Sequence, residues 1–271
     1  MSQNDALGVV GILAMVERKQ PVAIFEQTEI KSVTELVERV SSIELFVGDM
    51  VLYRGQSRQG NLLPGVCRNN PDTNTTSLEW KALQQLKIFG AAIHSDMNTT
   101  NLDWLVWAQH FGMKTRLLDW TSNPLAALWF ACNSKESGDV WLYAWDFSRL
   151  HVEDFYNHEL VVEESSSFVK AVDDPFSLKS TMVFQPRLSN KRVQAQHGWF
   201  SIHRFSQKHN RFICLENNSE AENTMAEFKI QGRSRVNILW ELDKLGVNER
   251  TLFPDEDGLC SYLNYKLKLG K

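Results

Sequence analysis

The sequence predicts an α+β protein: a mixed, mainly antiparallel set of central sheets flanked by helices. Three observations carry this reading. Short apolar runs such as Met50–Arg54 (MVLYR) and Val140–Phe147 (VWLYAWDF) read as buried strands. Capped segments with apolar residues at helical spacing lie between them. The two kinds of element follow one another without regular βαβ alternation, which argues against a doubly wound parallel sheet.

Taken in order, residues 1–29 form an N-terminal extension. Its apolar run Gly8–Val16 lacks a basic leader and is too short to span a bilayer, so it reads as a buried strand or a partner-facing element. Residues 30–271 read as one domain. Ser32-Val33-Thr34-Glu35 is a capping box, and Leu36, Val37, Val40 and Ile43 follow at helical spacing, which predicts a helix over 33–44. Gly48-Asp49 turns into the strand at Met50–Arg54, and a loop runs from Gly55 to Pro64. Ser77 can cap a helix carrying Leu83, Leu86 and Ile93, and a short helix with Trp104, Leu105 and Ala108 follows. Residues 151–176 are a polar, acidic insertion, expected as a surface loop or weak helix. Trp199–His203 and Arg211–Leu215 read as a hairpin pair, and Met225–Ile230 as a further strand. A helix starts at Ser234 and stops at Gly246, and one more short helix closes the chain.

The segment Gln109–Ala131 (QHFGMKTRLLDWTSNPLAALWFA) is the most informative. Lys114, Thr115, Arg116 and Asp119 surround Leu117 and Leu118 just before Trp120-Thr121-Ser122-Asn123-Pro124. Asn123 suits an N-cap and Pro124 the first helical position, where a missing N–H costs nothing. The helix over 124–133 is apolar on most sides and should be buried, fixing the polar turn at its N-terminus, a natural place for an anion. A purely structural turn with a satisfied Arg–Asp pair is the plain alternative. Arg116 itself could be a ligand contact or the structural partner of Asp119, with the balance toward the structural role.

The totals narrow the function classes. Of 271 residues, 43% are hydrophobic and 23% charged, enough apolar content for a sizeable core. A net charge of −4 argues against a uniformly basic nucleic-acid binder. Cys67, Cys132, Cys214 and Cys260 lie far apart with no CxxC, which argues against a zinc site or a disulfide framework and fits a reducing cytoplasm. GxGxxG, GxxxxGK[ST], HExxH and GxSxG are absent, and no metal is expected.

Three polar clusters remain. Tyr53-Arg54-Gly55-Gln56 places a guanidinium at a strand end beside a Gly, where a ligand can approach the backbone and the fork can hold a phosphate or ribose oxygen; the alternative is an Arg tied to a nearby carboxylate. The second is the turn with Arg116, Asp119, Thr121 and Ser122. The third is Arg192–Phe200 (RVQAQHGWF). The stretch 185–211 around it holds Arg187, Lys191, Arg192, Arg204, Lys208 and Arg211 and no acid, with Trp199, Phe200 and Phe205 interleaved. Such a stretch can track a phosphate backbone and stack bases, or it can be a solvated face paired with the acidic insertion.

These clusters, in this order, resemble the FRG domain family. Its Phe/Tyr-Arg-Gly motif is similar to Tyr53-Arg54-Gly55-Gln56 with Leu62-Leu63-Pro64 downstream. Its second hallmark resembles Ala108–Ala131, its third Arg192–His203, and Leu245-Gly246-Val247 with Leu252–Leu259 also fits. The layout is similar to that of the ADP-ribosyltransferase superfamily, which implies its split-sandwich fold. There a strand-end Arg or His beside a Gly reads nicotinamide, a second strand carries a Ser/Thr-rich turn before an Ala-containing helix, and a later strand supplies Glu or a substitute.

The resemblance implies an NAD-dependent ADP-ribosyltransferase with NAD as substrate. It would act as a toxin or anti-phage effector on an RNA or DNA acceptor ahead of a protein one, held by a cognate antitoxin, in the cytoplasm and away from membranes. A non-catalytic nucleotide- or nucleic-acid-binding module is the other reading. In the catalytic case Arg54 holds phosphate or ribose, and Thr121 orients Arg54 or the ribose. Asp119 and Gln196 face the reacting carbon. Tyr53 or Trp120 walls the nicotinamide, Gly55 offers backbone groups, and Gln56 and Arg116 complete the cofactor side. Arg192, Trp199, Arg204, Lys208 and Arg211 take the acceptor. Gln196 departs from the pattern, because Gln can hydrogen-bond a ribose hydroxyl but cannot serve as a carboxylate base; Asp119 would have to supply that charge.

Overall fold

The computed structural model describes residues 28–42, 51–91, 100–147, 174–186, 191–219, 221 and 224–269. The apolar run 8–16, most of the acidic insertion (151–173), and Ile43, Met50, Ile93 and Arg187 lie outside them.

Among the described residues seven strands form the main sheet: β1 (Thr28–Ile30), β2 (Val51–Gln56), β3 (Leu117–Thr121), β4 (Val140–Asp146), β5 (Met182–Phe184), β6 (Gly198–Ile202) and β9 (Met225–Ile230). A separate ribbon pairs β7 (Phe205–Ser206) with β8 (Arg211–Phe212). The order across the sheet is β1-β9-β4-β2-β3-β6-β5. Among the described strands of this sheet every pairing is antiparallel except β1 with β9. The mixed, mainly antiparallel architecture therefore matches the sequence expectation. Thr28 and Glu29, assigned to the extension, already belong to β1.

The helices are α1 (Val33–Ser42), α2 (Thr76–Gly90), α3 (Asn101–His110), α4 (Pro124–Cys132), α5 (Lys191–Ala195), α6 (Arg235–Lys244), α7 (Glu249–Leu252) and α8 (Glu256–Lys266). Local chemistry sets several of their ends. Ser32 Oγ accepts from Glu35 N–H at 3.1 Å, and Glu35 reaches back to Lys31 N–H at 2.7 Å. Asn123 Oδ1 accepts from Leu125 and Ala126 N–H at 2.9 and 3.3 Å, with Pro124 next to it. The α4 N-terminus is thus closed by its own cap, so the anion expected there would find those two donors taken. α2 begins one residue before Ser77, with Thr75 as its flanking residue, so Ser77 lies in the first turn.

Alternation sends opposite side chains of the sheet to two layers. On one face Tyr53, Leu142, Ala144 and Phe228 pack under α4, with α1 and α6 closing the cluster through Leu36, Ile238 and Leu242. Farther along that face, α2 and α3 cover Leu117, Phe200, Ile202 and Phe184 through Leu83, Leu102 and Leu105. On the other face Leu52, Leu118, Trp120, Tyr143 and Trp145 pack with Leu62 and Leu215 from covering loops.

Residues 199–203 and 211–215 do not form a hairpin. β6 is held on both sides, by β3 and by β5, which leaves its edges filled. Arg211–Phe212 instead pairs with Phe205–Ser206 across the turn at Asn210, whose φ is +50°.

Candidate functional site

The three polar clusters fall on three neighbouring strands, β2, β3 and β6. Between β2 and β3 the ladder is a single pair, Tyr53 with Thr121, whereas β2–β4 and β3–β6 are paired throughout. Continuing the β2–β3 register would set Gly55 opposite Asp119. The strands part before that point, and the Arg54 guanidinium occupies the gap. Its Nη1 donates to the Asp119 main-chain oxygen at 2.7 Å, supplying the bond the opened ladder lacks. The same atom stands 4.0 Å from Asp119 Oδ2, and Nε donates to Gln56 Oε1 at 3.3 Å. Arg54 is largely covered, with a side chain 14% exposed, while the Asp119 side chain is 63% exposed. Burial lowers the Arg54 pKa, against the pull of Asp119, and Arg68 lowers it further. The seam thus holds a mostly buried cation beside an exposed carboxylate, the two in an ion pair at the long limit of contact.

Asp119 has a second partner. Gln109, at the end of α3, donates from Nε2 to Asp119 Oδ1 at 2.8 Å, and the Thr115 hydroxyl donates to Gln109 Oε1. Neither Gln109 nor Thr115 was among the candidate site residues, although both lie in the informative segment; the legible signal is two polar side chains left within it by an apolar helix and strand.

Thr121 donates to the Gln196 main-chain oxygen at 2.6 Å and accepts from Asn123 N–H at 3.0 Å. It ties the β3 end, the α4 cap and the turn before β6 together. Gln196 lies in that turn, and its Nε2 donates to the Leu252 carbonyl at 3.1 Å. Its backbone therefore joins the seam while its amide is engaged with the C-terminal segment.

The other expected ligand residues are engaged within the fold. Tyr53 is buried under α4. Trp120 is 3% exposed, packs on Trp145 with ring centroids 5.1 Å apart, and donates to Ser201 Oγ at 2.9 Å. Gly55 is filled against α4: a Cβ there would lie 1.9 Å from the Ala127 carbonyl oxygen. Gln56 donates to the carbonyls of Arg58 and Gly60 at 2.8 and 2.6 Å and so anchors the following loop. Arg116 is fully buried; its fork meets Glu79 at 2.9 and 3.0 Å, with Thr76 and the Pro175 carbonyl as further acceptors. Its partner is Glu79 on α2, not Asp119.

The acceptor side is partly neutralised by acids outside the insertion. Arg192 pairs with Asp255, approaches Asp257 at 3.9 Å and lies over the Phe253 ring. Arg211 meets Asp72 at 3.2 Å. Trp199 is half-buried against Phe147, Arg204 is half-buried, and Lys208 is exposed on the β7–β8 turn. Among the described residues no cluster of His, Cys, Asp and Glu could hold a metal, and no helix is long and apolar enough to cross a membrane.

Behind the seam His203 is 2% exposed, with Nε2 2.9 Å from Ser201 Oγ. Burial, then the charges of Arg54 and Arg116, push its pKa down to about 3. Below the unfolded value of about 6.5 the unfolded chain takes up a proton that the folded one refuses. This contribution is complete above pH 6.5 and drains as pH falls toward 3. Stability should drop by about 2 kcal/mol between pH 7 and pH 5 from this residue alone. Urea unfolding of wild type and His203→Gln at both pH values measures it; equal pH slopes would remove His203 from the account.

Residues 49–140 match the family model of the FRG domain, which takes in the first two polar clusters and ends at the first residue of β4. No curated protein and no solved structure matches the chain.

Proposed function

With an FRG domain at residues 49–140 as premise, we propose that the protein is an NAD-dependent ADP-ribosyltransferase whose site is the β2–β3 seam. The observation that carries this is the guanidinium of Arg54 in the opened ladder beside the Asp119 carboxylate, with the Gln196 backbone tied to the β3 end through Thr121. Arg54 and Asp119 would stand for the first two elements of the superfamily layout, and the Gln196 turn for the third, with Gln in place of Glu.

The chemistry follows from the charges. The bond between nicotinamide and the ribose anomeric carbon breaks with its electron pair leaving on nicotinamide, through an oxocarbenium-like state. A nucleophile on the acceptor then bonds to that carbon and loses its proton to solvent. Arg54 holds the phosphate or ribose, and Asp119 places negative charge beside the developing cation. Thr121 acts on the fold of the site, joining β3 to the Gln196 turn. The acceptor is macromolecular, with RNA or DNA ahead of protein, because Arg204 and Lys208 lie on one basic stretch with Trp199. The family resemblance extends the role to a toxin or anti-phage effector in the cytoplasm, restrained by a cognate antitoxin.

NAD should raise the melting temperature of the wild type, and the protein should release nicotinamide. Arg54→Ala should slow release by about 100-fold or more, the scale seen when one preorganised donor is removed from a charged transition state. Circular dichroism confirms that the variant is folded. Equal release from both proteins would take Arg54 out of the reaction. The engaged amide of Gln196 favours a second reading, a nucleotide-binding module without turnover. Stabilisation by NAD without nicotinamide release selects it.

A further inference from the structure

We propose that Gln109 and Thr115 are positioning residues of the seam, a clamp that holds the Asp119 carboxylate off Arg54 so that the two charges do not close into a tight pair. The inference rests on the reading of that seam as the NAD site.

Hydrogen-bond directions fix the clamp. Leu117 N–H donates to Thr115 Oγ1 at 3.1 Å. The Thr115 hydroxyl proton is then directed to Gln109 Oε1. That sets the amide with its NH2 toward Asp119, where Nε2 meets Oδ1 at 2.8 Å. The flipped amide would put its oxygen against the carboxylate, acceptor against acceptor, so one orientation satisfies the chain. Thr115 is 1% exposed, which makes the base of the clamp rigid.

The consequence is the gap at Arg54. Free to relax, a carboxylate this close to a guanidinium shortens the contact to about 2.7–2.9 Å, as charge-assisted pairs do. Here Asp119 Oδ2 stays at 4.0 Å and Arg54 spends its Nη1 on the backbone. Without Gln109 the carboxylate can close on Arg54, each charge quenching the other and shutting the site.

The experiment has two readouts on the full chain. In protein labelled with 15N-glutamine, the Gln109 side-chain amide signals, assigned by their loss in Gln109→Ala, should move in Asp119→Asn. They should also move in Thr115→Val, and much less in Thr115→Ser, which keeps the hydroxyl. An amide indifferent to Asp119→Asn overturns the clamp, whatever NAD does. The second readout is nicotinamide release in a double-mutant cycle. Gln109→Ala should cost about 10–100-fold in kcat, the scale of a misplaced reacting group, and nothing further in an Asp119→Ala background. The same cost in both backgrounds overturns the proposal, because Gln109 would then act elsewhere. If the wild type neither binds NAD nor releases nicotinamide, the NAD reading fails, and the amide signals alone decide the clamp.

Discussion

Replacing Arg116 with methionine should destabilise the protein by about 3–5 kcal/mol, the cost of removing one partner from a buried ion pair. Arg116 has no exposed surface, and the Glu79 side chain opposite it is 3% exposed. The pair is bidentate, with Nε to Oε2 at 3.0 Å and Nη2 to Oε1 at 2.9 Å. Thr75 adds a hydrogen bond to Glu79 Oε1 at 2.7 Å, and the Phe176 ring lies 4.5 Å from the guanidinium carbon. One cation thus joins α2, the start of β3 and the 174–178 segment. Its removal leaves a carboxylate in an apolar layer with part of its hydrogen bonding gone. Arg116→Lys should fall well short of wild type, since one ammonium cannot reproduce a fork that also reaches Thr76 and the Pro175 carbonyl. Arg116→Met with Glu79→Leu should recover most of the loss, because the penalty belongs to the unpaired charge and not to the missing attraction. Urea titration of the three variants checks this. A single Arg116→Met protein as stable as wild type would show that the pair contributes nothing.

What the sequence made legible divides along the range of the interactions. The α4 start could be read because its cause is local: Asn123 caps, Pro124 follows, and an apolar run continues. The capping box at Ser32 and the stop at Gly246, whose φ is +82°, are local in the same way. Arg116 was legible as a residue with a partner, but the partner was not. Glu79 lies 37 positions away, and no spacing rule couples them. The seam was less legible still. That Arg54 and Asp119 share a gap depends on β2 and β3 pairing at Tyr53–Thr121 and then parting, a non-local pairing that no local spacing encodes. The hairpin expected at 199–203 and 211–215 failed for the complementary reason. Each run has strand character, but pairing is decided by which neighbour the fold brings alongside, and for β6 those are β3 and β5. The motif residues show the same limit. Arg54 and Gly55 are adjacent in sequence and belong to opposite faces of one strand, so a shared motif hid two separate jobs.

Gly55→Ala separates those jobs. As a ligand-facing glycine it would tolerate a methyl group with little loss of stability and some loss of NAD affinity. Its surroundings argue for the reverse. The added Cβ would lie 1.9 Å from the Ala127 carbonyl oxygen, 2.6 Å from the Ala131 nitrogen and 2.9 Å from the Ala131 Cβ. Two of these atoms are helix backbone, which cannot turn aside as a flexible side chain would, so α4 must lift from β2 as a unit. α4 carries Ala126, Ala127, Leu128 and Ala131 into the core over Tyr53, Leu142 and Ala144, and each loses contact when it rises. Overpacking of a tight core costs about 1–3 kcal/mol and sometimes more, and rigid neighbours on this side place Gly55→Ala at about 3 kcal/mol or beyond. At about 2–4 °C per kcal/mol, the melting temperature should fall by roughly 6–12 °C. Gly55→Val should not yield folded protein. The small residues Ala127 and Ala131 are the other half of the same fit: they let the helix approach, and Gly55 lets it land. A Gly55→Ala protein that melts with the wild type but has lost NAD stabilisation would return this glycine to the ligand and move α4 from the packing account to the binding one.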